Sequence, residues 1–358
     1  MISTININSH RYAYDVVFVD DPFKELQLLT RESKIHLIID KKVRDLYFEK
    51  LNHLELASTF VFEATEENKS FSSAQQILEH LVSNKYFKNH KIVSIGGGIT
   101  HDVSAFVCSV LHRGASWIYF PSTLLAMADP CIGGKSSLNI AGKKNLIGTY
   151  FPASKVFLAP CFLETLDKKD FVCGLGEIIK TKILKTPNDL SVLQQMIVDI
   201  STGKSVENVI FETLVVKKYL VEKDEFDSDV RQLLNFGHTF AHAIESATNY
   251  AVNHGTAVLI GIDMAFSYSL VTGRIGETLA SHLQSLLRPI YRPYTKDLFI
   301  DLDVFQDAII SDKKNPNSEV MTILIPVEQD GDVQIIKESV RPDKQFFDFC
   351  ERFISRIF

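Results

Sequence analysis

The chain has 358 residues, of which 46% are hydrophobic and 23% charged, and its formal net charge is −6. Such a length allows a sizeable core and two domains, while the acidic balance argues against nucleic acid, because binding a phosphate backbone requires a cationic surface. Five scattered cysteines without CxxC spacing predict reduced thiols instead of disulfides or a thiolate zinc site. The sequence shows no signal-peptide pattern, and we expect no run of the ~20 apolar residues that a bilayer-spanning helix needs. We therefore expect a cytoplasmic protein without a membrane partner.

Short strand-like segments alternate with helical patterns in the first half of the chain. We predict strands at residues 34–40, 58–62, 91–95 and 117–120, and an amphipathic helix at 72–83. This alternation predicts a mostly parallel α/β sheet.

After about residue 160 the pattern becomes largely helical. The predicted elements there are helices at 201–221, 232–247 and 255–271 and a short strand at 319–325. We therefore expect two domains, residues 1–160 and 161–358, which pack closely and form a cleft.

Three glycines follow the predicted strand at 91–95 and precede a helical pattern. The backbone N–H groups of Gly96, Gly97 and Gly98 can approach a pyrophosphate at the positive end of a helix dipole, which favours a dinucleotide site. The motif departs from GxGxxG because His101 occupies its sixth position. An ordinary tight turn, with Asp102 as a helix cap, is the alternative interpretation.

A second loop combines paired glycines with cations and an amide. Gly133 and Gly134 precede Lys135, and Lys144 and Asn145 follow shortly after. Glycine admits a ligand and the ammonium supplies charge, so this loop suits a phosphate or a polyol. For any single lysine here, a solvated surface position is the alternative.

Three histidines and one glutamate predict a catalytic metal site. His238 and His242 are four residues apart, so on a helix their rings leave the same face, and His254 can reach the same point from a neighbouring segment. Glu177, at the start of an apolar helical pattern, supplies a carboxylate. One Glu with two His is a catalytic zinc set that leaves positions open for substrate oxygens. Surface or core histidine is the alternative for the spaced pair alone.

Together these motifs resemble, in chain order, the dehydroquinate synthases and related sugar phosphate cyclases. The resemblance is carried by residues 66–69, 96–102, 112–114, 121–125, 129, 133–135, 144–145, 176–180, 235–242, 254–255 and 312–314. It implies an N-terminal NAD-binding α/β domain with a Rossmann-like parallel sheet and a mostly helical C-terminal metal-binding domain.

The resemblance also implies a role for each matching residue. The zinc ligands would be Glu177, His238 and His254, with cobalt as an alternative metal. The NAD contacts would be Asp40, Glu66, Lys69, Gly97, Gly98, Ile99, Asp102, Ser122, Thr123, Lys144, Phe162 and Thr165. The reacting polyol would be held by Asp129, Lys135, Asn145 and Lys180. The substrate phosphate would meet Arg113, Asn235, His242 and one of Lys313 and Lys314. A substrate carboxylate would face Lys217 and Arg231.

The implied reaction converts 3-deoxy-arabino-heptulosonate 7-phosphate to 3-dehydroquinate. Hydride passes to NAD+, phosphate leaves, hydride returns, and an intramolecular aldol step closes the ring, so that no net oxidation occurs. The expected enzyme is a carbon–oxygen lyase of the shikimate pathway and of aromatic amino acid biosynthesis. The resemblance suggests a homodimer.

Several positions depart from the pattern of the dehydroquinate-forming members. Those members usually read Gly at the position of His101, Ser-Ser at Pro130-Cys131, His-Pro-Leu-Gly at residues 140–143 and Gly at Ala241. The departures point to a divergent member. Another cyclase, acting on sedoheptulose 7-phosphate in the manner of 2-epi-5-epi-valiolone synthase, is therefore the alternative.

Three retained residues favour the carboxylated substrate. Lys217, Arg231 and His242 suit a buried anion, for which a cyclase without a carboxylate substrate has less use. We favour dehydroquinate synthase on this ground. Two other functions are alternatives. One is a metal-dependent polyol dehydrogenase, but the substrate of such an enzyme has no phosphate for the lysines to neutralise. The other is a catalytically inactive binding module, which does not need the complete set of metal ligands.

Overall fold

The computed structural model describes residues 4–141, 143–203, 206–296, 298–311 and 320–358. The chain divides into two compact units, one of Met1–Phe171 with Ile210–Asp227 and one of Val172–Val209 with Ser228–Phe358. The domain boundary predicted at residue 160 stays a prediction.

A seven-stranded sheet forms the centre of the first unit. The strands of this unit are β1 (Thr4–Ile7), β2 (Tyr14–Phe18), β3 (Ile35–Asp40), β4 (Ser58–Phe62), β5 (Lys91–Gly96), β6 (Trp117–Pro121), β7 (Leu138–Ile140), β8 (Lys143–Ile147) and β9 (Lys155–Leu158). The order across the sheet is β1-β2-β9-β6-β5-β3-β4. The pairing of β1 with β2 is antiparallel and the other five are parallel. The strands β7 and β8 form a separate antiparallel hairpin.

The central strands form because their side chains are apolar on both faces. Ile38, Ile92 and Trp117 are fully buried, as expected for parallel strands covered by helices on both sides. The helices of this unit are α1 (Pro22–Glu32), α2 (Lys41–Leu46), α3 (Phe48–Leu51), α4 (Phe71–Ser83), α5 (Gly98–Val110) and α6 (Leu124–Ala128). Side chains cap several of them; Ser70, for example, accepts a hydrogen bond from the Ser73 amide at the start of α4.

Helices dominate the second unit, and two of the three boundaries between the units, at residues 171/172 and 209/210, fall within helices. The remaining helices are α7 (Lys168–Lys185), α8 (Leu190–Ser201), α9 (Val206–Lys223), α10 (His238–Ala247), α11 (His254–Val271), α12 (Glu277–Tyr291), α13 (Leu302–Ile310) and α14 (Lys344–Ile354). An antiparallel hairpin of β10 (Met321–Gln329) and β11 (Asp332–Val340) accompanies them.

Among the described residues, α11 alone is long and apolar enough to cross a membrane, with 18 residues and a mean hydropathy of 1.2. Seventy-eight per cent of that helix is buried inside the protein. A core helix that is apolar all round has the same composition, so burial in this unit accounts for it.

The predicted fold class, a parallel α/β part followed by a helical part, is confirmed. The prediction that Glu177 starts a helix is wrong, because α7 begins at Lys168 and continues through Gly174 and Gly176. The helix predicted from residue 232 begins at His238, since residues 230–235 form a 3-10 turn and Gly237 adopts φ +77°. The first residue of the predicted strand at 319–325 lies outside the described residues.

Candidate active site

Three side chains from three helices of the second unit converge on one point. The Nε2 atoms of His238 and His254 lie 3.4 Å and 3.3 Å from Oε1 of Glu177. One ligand atom from each of the three residues lies within 4.8 Å of the others. Glu177 comes from the middle of α7, His238 starts α10 and His254 starts α11.

The second nitrogen of each imidazole faces an acceptor, which sets the tautomer. The Nδ1 of His238 lies 3.1 Å from the carbonyl oxygen of Phe236, and the Nδ1 of His254 lies 3.2 Å from Oε2 of Glu245. Both acceptors require a proton on Nδ1. The Nε2 lone pairs of both rings can therefore serve as ligands, in the arrangement that metal-binding histidines usually adopt.

The charges around Glu177 keep it ionised. Burial alone would raise the pKa of this carboxyl, but the Lys180 ammonium and the two imidazoles outweigh burial and hold the pKa well below its usual range. The Lys180 ammonium donates to Oε2 of Glu177. Both side chains are almost completely buried.

The two imidazoles differ in charge. Burial, with the nearby Lys180 ammonium, lowers the pKa of His238, so this ring is neutral. Burial also disfavours the cation of His254, but the Glu245 and Glu177 carboxylates outweigh it and raise the pKa to about 10. A metal ion would displace the proton that His254 carries on Nε2.

The remaining oxygen of Glu177 indicates what the site holds. Oε1 is buried and has no hydrogen-bond partner among the described residues, although both imidazole Nε2 atoms are near it. While His254 is protonated, this oxygen faces the imidazolium; once that proton is displaced, the buried oxygen has no donor, which is costly. A divalent cation between Oε1 and the two Nε2 atoms would satisfy all three, so the residues fit a catalytic zinc-type site.

Glycines allow the helices that carry these residues to approach closely. A Cβ on Gly255 would overlap the carbonyl oxygen of Cys173, and one on Gly176 would overlap that of Gly255. Gly237 needs its positive φ to turn the chain into α10, and an added Cβ would lie 2.8 Å from Ile262. These contacts place the metal-site side chains within reach of one another.

The fourth residue of the predicted histidine motif, His242, lies beside the three. Its ring centroid is 5.6 Å from that of His238 and 6.2 Å from that of His254. With Glu245 and His254 it forms a second set whose ligand atoms are mutually close. The Nδ1 atom of His254 takes part in that set through a hydrogen bond, so the first set is the better metal site.

In the first unit, the residues predicted to contact a nucleotide follow the carboxyl ends of parallel strands. Asp40 ends β3, Glu66 and Lys69 follow β4, Gly97, Gly98, Ile99 and Asp102 follow β5, Ser122 and Thr123 follow β6, and Phe162 and Thr165 follow β9. Ligands of open α/β sheets bind at this edge. The sheet topology thus gathers the predicted set on one side.

The glycine turn leaves the amino end of α5 accessible. Gly97 is the N-cap, and among the described side chains none forms a capping hydrogen bond there. A Cβ on Gly98 would meet nothing nearer than Pro130 at 3.9 Å. The first amides of α5 are therefore available to a phosphate. Because Gly97 caps this helix, the alternative that Asp102 is its cap is wrong.

A polar network joins the loops next to this turn. The Lys69 ammonium lies 2.5 Å from Oδ2 of Asp102 and donates to Oδ1 of Asn145 at 2.7 Å. The Ser137 hydroxyl lies 2.7 Å and 2.8 Å from the same two acceptors, which share its single proton. Asn139 donates to Oε1 of Glu66 at 2.8 Å. Lys144 lies near this cluster, 3.6 Å from the same Glu66 oxygen.

Two further cations of the first unit are paired with acids. Lys217, on the part of α9 that belongs to this unit, donates to Oδ1 of Asp129 at 2.8 Å and to its carbonyl oxygen. Lys135 lies 2.5 Å from Oδ2 of Asp227. Lys217 is 4% exposed, whereas Lys135 is largely exposed.

The structure does not bring every predicted site residue together. Arg231 is buried and Asn235 half-buried in the 3-10 turn before α10. Arg113 is exposed at the far end of α5, a helix of 13 residues and about 20 Å, and thus at the other edge of the sheet from Gly98. Lys314 lies outside the described residues, as does Lys313.

Sequence reasoning missed Glu245, Ser137 and the part that Asn139 plays. Glu245 lies seven residues after His238 on α10, so helical spacing alone places it on the same face as that ligand. The pairing of Ser137 and Asn139 with other loops depends on the β7–β8 hairpin, which the sequence pattern did not predict.

Comparison with known proteins identifies the family. The family models for the N-terminal and C-terminal parts of 3-dehydroquinate synthase match residues 59–173 and 174–315. A 3-dehydroquinate synthase of Pelagibacter ubique is 33% identical over 338 residues, which cover 90% of this chain and 91% of the relative.

Solved structures share the fold. The structure of 2-deoxy-scyllo-inosose synthase complexed with carbaglucose-6-phosphate, NAD+ and Co2+ has a TM-score of 0.80 at 20% identity, covering 99% of this chain and 100% of the other. That of 2-epi-5-epi-valiolone synthase from Streptomyces hygroscopicus, with NAD+ and Zn2+ bound, has a TM-score of 0.79 at 22% identity, covering 99% of both chains.

The fold and these relatives define a sugar phosphate cyclase, a lyase that forms a carbocycle with elimination of phosphate. The chain belongs to the 3-dehydroquinate synthase family.

Proposed function

We propose that the protein is a 3-dehydroquinate synthase, which converts 3-deoxy-arabino-heptulosonate 7-phosphate to 3-dehydroquinate with loss of phosphate and depends on NAD+ and Zn2+. The observation that carries the proposal is the convergence of Glu177, His238 and His254, whose ligand atoms surround one buried carboxylate oxygen. The name of the Pelagibacter relative supports the substrate. The reaction belongs to the shikimate pathway of aromatic amino acid biosynthesis.

Glu177, His238 and His254 would hold the metal. Three protein ligands leave positions open for substrate oxygens, as a catalytic site requires. When bound, the ion supplies Lewis-acid chemistry that polarises a substrate hydroxyl. Co2+ takes the same ligand types and is the alternative metal.

NAD+ would bind at the carboxyl edge of the parallel sheet. The accessible amides of α5 suit its pyrophosphate, and Gly97 and Gly98 let the backbone approach it. The polar network around Lys69 and Asp102 lies beside this turn. When bound, the cofactor accepts a hydride and returns it, so that the reaction is redox-neutral overall.

Lys217 and Arg231 would pair with the substrate carboxylate. Each is no more than 4% exposed, and charge-assisted hydrogen bonds to a carboxylate are strong in such surroundings. Lys217 is held by Asp129, which would orient the ammonium. A heptulose phosphate has no carboxylate, and this difference favours 3-deoxy-arabino-heptulosonate 7-phosphate.

The polyol and the leaving phosphate would meet a further set of polar groups. Asp129, Lys135, Asn145 and Lys180 would hold the polyol, while Asn235, His242 and one of Lys313 and Lys314 would meet the phosphate; Arg113, at the other edge of the sheet, is left out of this set. Positive and hydrogen-bonding groups stabilise the charge that develops on a departing phosphate. The Lys180 ammonium also keeps the Glu177 carboxylate ionised at the metal site.

A cyclase that acts on sedoheptulose 7-phosphate is the second candidate. The buried His101 and Cys131 occupy positions where dehydroquinate-forming relatives usually have Gly and Ser. These differences near the cofactor turn favour a cyclase that has diverged from those relatives. Burial raises the pKa of the Cys131 thiol to about 12, so this residue is not a nucleophile.

We also propose a cytoplasmic homodimer. The dimer rests on the family resemblance. All five cysteines are free, which suits a reducing compartment. The molar mass of the purified protein in solution would test the dimer directly.

Phosphate release by the protein loaded with zinc and NAD+ tests the proposed function. Release from 3-deoxy-arabino-heptulosonate 7-phosphate at a much higher kcat/KM than from sedoheptulose 7-phosphate is expected. The reverse preference would establish the second candidate. Accumulation of NADH on simple polyols without phosphate release would instead indicate a polyol dehydrogenase.

A further inference from the structure

The buried imidazole of His101, on α5, contacts the carboxylate of Asp102, the next residue of the same helix. The His101 side chain is 3% exposed and packs against the rings of Trp117 and Tyr119, with centroids 5.6 Å and 4.9 Å away. Its Nδ1 atom lies 3.1 Å from Oδ1 of Asp102. The two aromatic rings therefore hold the imidazole against the carboxylate.

The ionisation of Asp102 determines the direction of this contact. Burial alone would raise the pKa of Asp102, but the Lys69 ammonium and the His101 ring lower it to about 2. An ionised carboxylate can only accept hydrogen bonds, so Nδ1 of His101 carries the proton and donates.

The other oxygen of the carboxylate links this contact to the rest of the loop network. Oδ2 of Asp102 accepts from Ser137 at 2.7 Å and lies 2.5 Å from the Lys69 ammonium. Ser137 and Lys69 also contact Asn145. A rotation of the carboxylate would disturb all of these contacts, and the His101 hydrogen bond opposes that rotation.

We propose that His101 is a positioning residue for the cofactor: its hydrogen bond to Asp102 orients the carboxylate and, through it, Lys69 and Ser137, and thereby sets the affinity for NAD+. The inference rests on the NAD+ site of the proposed function. A glycine at this position, which dehydroquinate-forming relatives usually have, provides no such donor.

The test measures the NAD+ dissociation constant by titration calorimetry on the zinc-loaded protein. His101→Asn keeps a donor on a short side chain, whereas His101→Leu has nearly the same size as Asn and no donor. His101→Phe fills the space of the imidazole without a donor and serves if the Leu variant does not fold. Each variant is also made in an Asp102→Ala background, where the acceptor is absent.

We expect the Leu and Phe variants to bind NAD+ about tenfold more weakly than the wild type, the usual effect of one hydrogen bond to a charged group. The Asn variant should bind within about twofold of the wild type. In the Asp102→Ala background the three substitutions should be equivalent, because His101 acts through that carboxylate.

Two results would overturn the inference. One is equal affinity in the Asn and Leu variants, and the other is an undiminished effect of the Leu variant in the Asp102→Ala background. Failure of the wild type itself to bind NAD+ is a different outcome, which would contradict the proposed function.

Discussion

Loss of the Glu245 carboxylate should weaken metal binding although this residue is not a ligand of the proposed site. Its Oε2 atom lies 3.2 Å from Nδ1 of His254, and the carboxylate is largely buried. Glu245→Gln keeps an acceptor but removes the charge, which makes the imidazole a weaker base and ligand. Glu245→Ala removes the acceptor as well.

Partners of metal-binding histidines typically contribute 10- to 100-fold to metal affinity, which corresponds to about 1.4–2.7 kcal/mol. The contact between Glu245 and His254 is one charged hydrogen bond in a buried place. Such a bond contributes about 1.5–3 kcal/mol of free energy, which agrees with that range. We therefore expect a loss of about tenfold for Glu245→Gln and of up to about 100-fold for Glu245→Ala.

Competition with a chromophoric chelator measures the zinc dissociation constant of each variant without reference to turnover. Glu338→Gln, in which the carboxylate partners Arg274 on the surface of the same unit, is the matched control and should bind zinc like the wild type. Zinc affinity unchanged in both Glu245 variants would refute the role of this carboxylate. An affinity lost to the same extent in the Glu338 control would refute it too.

Further predictions concern packing, pH and the substrate. Gly255→Ala should lower the unfolding free energy by more than about 2 kcal/mol and release zinc, because its Cβ would overlap the carbonyl of Cys173; Gly276→Ala, with nothing nearer than 3.6 Å, is the control. Burial, aided by its neighbour His90, lowers the pKa of His36 to about 4, so urea unfolding should show stability lost as pH falls from about 6.5 to 4. Lys217→Met should raise KM for the carboxylated substrate at least about tenfold.

A specific result would contradict each of the packing, pH and substrate predictions. Equal unfolding free energies of the two alanine variants would refute the close helix approach. The pH effect follows because the unfolded chain binds a proton to His36 below about pH 6.5 while the folded chain does not, for a total of about 3 kcal/mol at most. A His36→Gln variant with the same loss of stability would refute that origin. Unchanged KM in the Lys217 variant would remove the carboxylate contact.

The sequence predicted the parallel sheet and singled out the histidine pair of the candidate metal site because both depend on local patterns. The strand at residues 58–62 was predicted at its observed bounds, since β-branched and aromatic residues there stand between turn signals. Helical spacing placed His238 and His242 on one face. The choice of His254 over His242 as the third ligand depended on the resemblance, because the contact of Glu177 with α10 and α11 joins segments that are distant in sequence.

Other features were not accessible from local pattern. Glu177 was expected at the start of a helical pattern, yet it lies in the middle of α7, where Gly176 admits the backbone of Gly255. That close approach is a tertiary contact without a local signal. The hydrogen bond of Glu245 to His254 is of the same kind, although helical spacing could have indicated the face.

The central claim is that the cofactor is recycled within a phosphate-eliminating cyclisation. The most direct measurement supplies zinc-loaded protein with 3-deoxy-arabino-heptulosonate 7-phosphate in large excess over a limiting amount of NAD+, and follows phosphate, NADH and the cyclic product together. We expect many phosphates and an equal number of 3-dehydroquinate molecules for each NAD+, with no lasting NADH. Phosphate release that stops at one per NAD+, with NADH accumulating in the same amount, would contradict the account.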